Sequence, residues 1–173
     1  MSNNESPTDA RGAAKKEAFH EAAEAGVRTF KFGVPEDIPD HTKAHVKLAG
    51  TDSCRAQVQI LRNGGDNNLH YHPNMDLIYM VLKGTVRFYG PGDKELGDFK
   101  PNEGILLPEN ARYWFKSLGS EDAWLLQIAG YPKGPKAAKR IPVEPAKETQ
   151  RVGLWFGLTE EEQKARDAAI IRL

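Results

Sequence analysis

Between Thr29 and Ile128, short β-prone runs alternate with turn-forming clusters at close intervals, and this rhythm commits the chain to a β-barrel or sandwich. The breaks are Asn63-Gly64-Gly65-Asp66, Lys83-Gly84, Gly90-Pro91-Gly92-Asp93, Lys100-Pro101-Asn102 and Leu118-Gly119-Ser120. Each supplies the positive-φ or proline-fixed geometry that reverses a chain. Strands are expected near Thr29–Phe32, His45–Leu48, Arg55–Arg62, Asn68–His72, Leu77–Leu82, Thr85–Phe88, Gly104–Leu107, Tyr113–Ser117 and Ala123–Ile128. The run Leu77-Ile78-Tyr79-Met80-Val81-Leu82 is apolar on both parities, whereas a strand with one wet face would alternate. A second sheet, an arm or a second subunit must cover its outer side, and a homodimer is the reading favoured.

The flanks have a different texture. Residues 1–28 read as a polar arm, disordered to Arg11 and then a short helix over Ala13–Ala25, rich in Ala, Glu and Lys and ended by Gly26. Phe19 is its one strong apolar anchor, and His20 on it is expected to face solvent. Residues 29–131 form the barrel. Residues 132–173 read as an extended Pro- and Lys-rich tail and a terminal helix from Glu160 to about Ile171. Thr159 and Glu162 have capping-box spacing, and Trp155 and Phe156 look like an anchor pinning the tail.

Charge and cysteine content narrow the function classes. Lys plus Arg and Asp plus Glu are 24 each, so no global field attracts nucleic acid or an anionic membrane. The basic cluster Lys133, Lys136, Lys139 and Arg140 reads as a solvated linker. The single Cys54 allows no intrachain disulfide and, in the alternation Cys54, Ala56, Val58, Ile60, is expected to be a buried thiol. No apolar stretch has spanning length, and a cytoplasmic location is the expectation. The chain contains no Gly-x-Ser-x-Gly elbow, phosphate-binding loop or paired-cysteine zinc pattern.

The chemistry concentrates at His70-Tyr71-His72. Residues two apart on a strand share a face and lie about 6–7 Å apart, so two neutral imidazoles can converge on one ion or ligand. By the same parity Tyr71 faces out. His41 and His45 precede the barrel proper and are expected at the surface.

The context of the pair resembles the cupin superfamily. Gly64 lies six residues before His70, Asp76 four after His72, and Gly84 closes the following strand, as in the first cupin motif. Asn102-Glu103-Gly104 through Pro108, Tyr113 and Ser117 looks like the second. The resemblance covers roughly Phe30 to Tyr131 and implies an all-β fold, the double-stranded β-helix or jelly-roll barrel, with short N- and C-terminal helical arms. It also implies departures: Leu77 stands in the slot of the family's metal-binding glutamate, and Tyr113 in that of its metal histidine. Three readings stay open. His70, His72 and Asp76 form a two-histidine, one-carboxylate face for a divalent transition metal, Fe(II) above all. Or a carboxylate from elsewhere, such as Glu95 or Glu103, completes the site. Or no metal is bound and the histidines and Tyr113 meet an organic ligand directly.

With His70 and His72 inward, parity places Tyr79, Phe88 and Phe115 around an aromatic substrate pocket, and Tyr113 as the catalytic proton donor or orienting group. The expected activity is that of a small metal-dependent cupin enzyme, a non-haem dioxygenase or lyase acting on a small organic molecule. The alternatives are a metal-free binding or accessory cupin and a metal-free isomerase or epimerase with His72 as base and Tyr113 as acid.

Overall fold

The computed structural model describes residues 7–36, 38–40, 42–133, 139–145 and 153–164. It divides into two units, Met1–Phe30 and Lys31–Leu173. The first holds one helix, α1 (Pro7–Glu24), which begins six residues earlier than composition suggests. Proline suits a first helical turn because no intrahelical partner is needed for an N–H there. Phe19 and His20 are both exposed on it, their rings meeting edge to face. No helix among the described residues is long and apolar enough to cross a membrane.

The second unit contains β1 (Lys43–Gly50), β2 (Cys54–Leu61), β3 (His70–Tyr71), β4 (Asp76–Lys83), β5 (Thr85–Tyr89), β6 (Glu95–Phe99), β7 (Gly104–Leu107), β8 (Trp114–Leu118), β9 (Ala123–Gly130), β10 (Ile141–Pro142) and β11 (Leu154–Phe156). The first sheet runs β11-β1-β2-β9-β4-β7. Opposite it stands β6-β5-β8, extended by single bridges Asp66–Lys116 and His70–Tyr113 toward the β10-β3 pair. This is an all-β double-stranded β-helix.

Between the sheets lies a core of Leu61, Leu77, Tyr79, Val81, Val86, Phe88, Tyr113, Phe115, Leu125 and Ala129, all buried. Pairing sets which residues enter it: Tyr79 opposes Gln127 and Ile105, while Ile78 opposes Ile128 and Leu106 on the outer face. Outside the first sheet, Ala44, Val46, Val58 and Ile60 are buried beneath Ile38, Phe32 and the tail residues Leu154 and Phe156. Trp114 faces away from the barrel interior, stacked on Tyr89 with its indole N–H donated to Asp93 at 2.9 Å.

Several expectations are corrected. Residues 29–32 form no strand; Phe32 instead packs its ring against Trp124 at 5.4 Å. Cys54 is exposed, because it ends a protruding hairpin where the Thr51 amide donates to its carbonyl at 2.8 Å. β6, β10 and β11 exist through pairing and not through their own β-propensity. On the outer face of β4, where a covering second subunit is expected, Ile78, Leu106 and Ile128 form an aliphatic row across three strands, exposed in the single chain. The capping box is present as written: the Thr159 amide donates to Glu162 Oε2 at 2.9 Å, and the Glu162 amide to Thr159 Oγ1 at 3.3 Å. A helix begins at 160 and is described to 164; its expected continuation to 171, His41, Lys136 and the stretch to Arg11 before Pro7 lie outside the described residues.

Candidate functional site

β3 is only two residues long, yet it is held from both sides. His70 exchanges backbone hydrogen bonds with Tyr113, its amide donating at 3.1 Å and its carbonyl accepting at 2.9 Å. On the other edge the tail strand β10 pairs Ile141 with Tyr71 and Pro142 with His70. This clamp fixes the parity of the segment, so His70 and His72 line the same pocket, their rings 5.0 Å apart and at 85°.

Each imidazole is also held by its Nδ1, the ring nitrogen nearer the backbone. His70 Nδ1 lies 2.8 Å from the Asn68 carbonyl, and His72 Nδ1 lies 2.8 Å from the Lys139 carbonyl. A carbonyl only accepts, so both Nδ1 atoms carry the proton and both Nε2 atoms keep a free lone pair. Burial and the charge of Arg140 press the His70 pKa down to about 2 against the Asn68 carbonyl. Burial, opposed by the Lys139 carbonyl, takes His72 down to about 4. Both rings are neutral at pH 7.

The pocket has a volume of about 290 Å³ and opens to solvent on one side. Four basic residues line it: Lys43 on β1, Arg55 on β2, and Lys139 and Arg140 on the tail, of which Lys43, Arg55 and Arg140 concern a ligand. Burial first, then Arg140, lowers the Lys43 pKa to about 8, while Asp66 works the other way. Arg140 reaches over the mouth and donates to Asn68 Oδ1; Asn68 in turn donates to the Glu144 carbonyl at 2.6 Å, so the tail is stitched to β3. None of the described residues lining the pocket is acidic.

The floor is made of amides. Gln57 and Gln59, neighbours of one parity on β2, both donate to Gln127 Oε1 on β9, Gln59 at 2.8 Å. All three are buried, and the Oε1 atoms of Gln57 and Gln59 have no hydrogen-bond partner. His45, also lining the pocket, stacks on Trp155 with centroids 4.2 Å apart. Pairing of His45 with Trp155 in the parallel β1–β11 ladder sets that stack. His45 is therefore buried, against the surface position its sequence context suggests.

The residues singled out in the sequence divide into groups. His70, His72 and Tyr79 line the pocket. Tyr113 sits behind them, its ring 4.4 Å from His70 and its hydroxyl 3.0 Å from that of Tyr79. Burial raises both phenols, Tyr79 to about 12 and Tyr113 well above the usual range, so both are neutral donors. Phe88 and Phe115 lie deeper, 1% and 0% exposed, in the core and outside the pocket wall. Asp76 does not join the histidines: it is exposed, on the outward parity of β4, and its Oδ1 accepts from the Glu109 amide at 2.8 Å. Glu95 faces Arg87 at 2.6 Å, and Glu103 accepts from the Lys100 amide at 2.8 Å, both at the surface. The inward place beside Asp76 is taken by Leu77, 1% exposed.

This donor set does not fit a resident divalent metal. His70 and His72 each offer an Nε2, while His45, the third imidazole of the wall, is stacked on Trp155 with its Nδ1 against the Gln57 amide; the remaining polar groups are neutral phenols, four amides and four basic side chains. No group of three or more His, Cys, Asp or Glu residues among those described is placed to hold an ion. A divalent cation would meet repulsion from Lys43, Arg55 and Arg140, whereas an anion meets attraction.

Sequence reasoning missed Lys43, Arg55, Gln57, Gln59, Gln127 and Arg140. A signal was present in Arg55-Ala56-Gln57-Val58-Gln59-Ile60, where the polar parity is as regular as the apolar one. Reading the apolar parity as the only buried one hid it; β2 is buried on both faces.

No family model matches the chain, and no curated protein matches it. Solved structures match its fold. A protein with a double-stranded β-helix domain from Klebsiella pneumoniae is 13% identical, with TM-score 0.57 over 70% of this chain and 96% of its own. KdgF from Halomonas sp. is 14% identical, with TM-score 0.51 over 62% and 96%. A cupin superfamily protein from Desulfitobacterium hafniense is 15% identical, with TM-score 0.50 over 61% and 97%. At such identities the likeness speaks for the fold alone, and the fold of this chain is that of the cupin superfamily.

Proposed function

We propose that the protein is a small-molecule cupin that takes an organic anion directly on the side chains of its pocket, with no metal ion between. One observation carries this reading: Lys43, Arg55 and Arg140 converge with two neutral imidazoles on a pocket that none of the described acidic residues lines. Lys43 and Arg55 are half-buried and Arg140 is exposed at the rim, and like charges gathered around one opening attract a ligand of opposite charge. The metal-dependent oxygenase reading rests on a carboxylate beside the histidines, and the outward Asp76 deprives it of support. Calorimetry at pH 7 on the full chain tests the proposal. Gluconate or hexanoate should bind and the neutral polyol sorbitol should not, and Arg140→Gln or Lys43→Met should each weaken the anion about tenfold. A stoichiometric transition metal in protein purified without chelator would overturn it.

A catalytic use of the same pocket is favoured by the histidine tautomers. Each Nε2 is an unprotonated base held by an Nδ1–H bond to a carbonyl. With a carboxylate on Lys43 and Arg140, such a base can remove the proton from the adjacent carbon, and the cations stabilise the charge that develops. The step is common to isomerases and lyases. It predicts exchange of that substrate hydrogen with D₂O, seen by NMR. His72→Gln should cut the exchange rate by about a hundredfold while anion binding persists. Undiminished exchange in that variant excludes His72 as the base.

A further inference from the structure

The three cations account for a ligand's charge, but not for the floor beneath them. Gln57 and Gln59 are 2% and 3% exposed, and each donates an amide N–H to Gln127, Gln57 also lying 3.3 Å from His45 Nδ1 and Gln59 hydrogen-bonded with the Tyr79 side chain. That arrangement leaves the Oε1 atoms of Gln57 and Gln59 buried and unpartnered inside the pocket wall. An unmet buried acceptor costs about 1–3 kcal/mol, so a pair of them on one floor calls for donors from the ligand. A small ligand's donors are either cationic, as an ammonium group is, or neutral, as a hydroxyl is. Lys43, Arg55 and Arg140 repel an ammonium group at this depth, whereas a hydroxyl carries no charge and donates equally well.

Building on the anion reading above, we propose that the ligand is a hydroxylated organic anion, its charged group on Lys43 and Arg140 and its hydroxyls donating to Gln57 and Gln59. The rim supports the same assignment, since the stacked His45–Trp155 pair offers a flat ring edge beside the floor on which the C–H face of a hydroxylated chain can rest.

Matched ligands separate the two claims. Gluconate and hexanoate carry the same carboxylate on chains of equal length and differ in hydroxyls, so calorimetry on the full chain compares them directly. Gluconate should bind at least about tenfold more tightly, because a site built to pair hydroxyls rejects the analogue lacking them. Gln57→Leu and Gln59→Leu should each erase most of that preference by weakening gluconate, with an unaltered circular dichroism spectrum certifying the fold. Equal affinities for the two anions in the unaltered protein, or a preference that survives both leucine variants, would overturn the hydroxyl assignment and leave the anion reading standing. Failure of both anions to bind overturns both claims. The comparison in the unaltered protein decides the matter even where a leucine variant does not fold.

Discussion

Gly104→Ala should destabilise the barrel by at least about 3 kcal/mol, the largest loss expected from any single methyl group added to this chain. A Cβ at Gly104 would stand 2.1 Å from the Tyr79 carbonyl oxygen and 3.1 Å from Met80 Cα. Those atoms belong to the backbone of β4, which is paired on its other side to β9 over its whole length, so they cannot retreat. β7 would have to move out, breaking the pairing of Met80 with Gly104 and of Tyr79 with Ile105. The Val81 amide bond to the Glu103 carbonyl, 2.9 Å, lies one step beyond and would go with it. Because Tyr79 supports both the pocket wall and the Tyr113 hydroxyl, ligand affinity should fall together with stability. Urea denaturation followed by tryptophan fluorescence measures the first effect. A midpoint unchanged within error would show that the two strands are further apart than described.

The second large effect is acid lability. Both histidines are held neutral in the fold, with pKa values of about 2 for His70 and about 4 for His72, against 6.5 for an unfolded imidazole. Above pH 6.5 folded and unfolded states carry the same neutral rings, and the contribution to stability is fully present. As pH falls below 6.5 the unfolded chain takes up protons that the fold refuses, and each histidine withdraws about 1.4 kcal/mol per pH unit. The pair together withdraws about 2–3 kcal/mol per unit between pH 6 and 4, after which His72 stops contributing near 4 while His70 continues toward 2. Lys43 acts in the alkaline window with the same sign: its folded pKa of about 8 lies below its unfolded value of 10.5, so stability climbs between these two values. Urea midpoints from pH 4.5 to 7.5 test the acid limb, and His72→Gln should halve its slope. A limb equally steep without either histidine would assign the lability to carboxylates instead.

How far the sequence could be read follows the physics of each element. The nine expected strands included eight that exist, because turn glycines and prolines act locally and an inward–outward alternation survives in a single chain. The capping box of Thr159 and Glu162 was legible for the same reason: both partners lie within one helical turn. β6 was missed because Glu95-Leu96-Gly97-Asp98-Phe99 has little strand character of its own. Its place is set by β5, with Arg87 pairing both Asp98 and Glu95 across the ladder. The two-residue strand β10 and the three-residue β11 carry too few residues for any period to show.

The pocket shows the same division at higher stakes. The spacing of His70 and His72 by itself determined that two imidazoles would share one face, since strand geometry admits no other outcome. Whether Asp76 or Leu77 points inward from β4 was open in a run apolar on both parities, and pairing with β9 and β7 decided it for Leu77. What only tertiary structure decided is the charge those histidines face. Lys43, Arg55 and Arg140 are separated by 12 and 85 positions along the chain, and no local period links them. A parallel β1–β11 pairing and a tail strand laid along β3 bring Trp155 and Arg140 to the rim of the barrel. Backbone pairing between distant segments, which depends on hydrogen-bonding edges and not on side-chain pattern, thereby gathered basic side chains around a histidine pair that reads, in the sequence, as a metal centre.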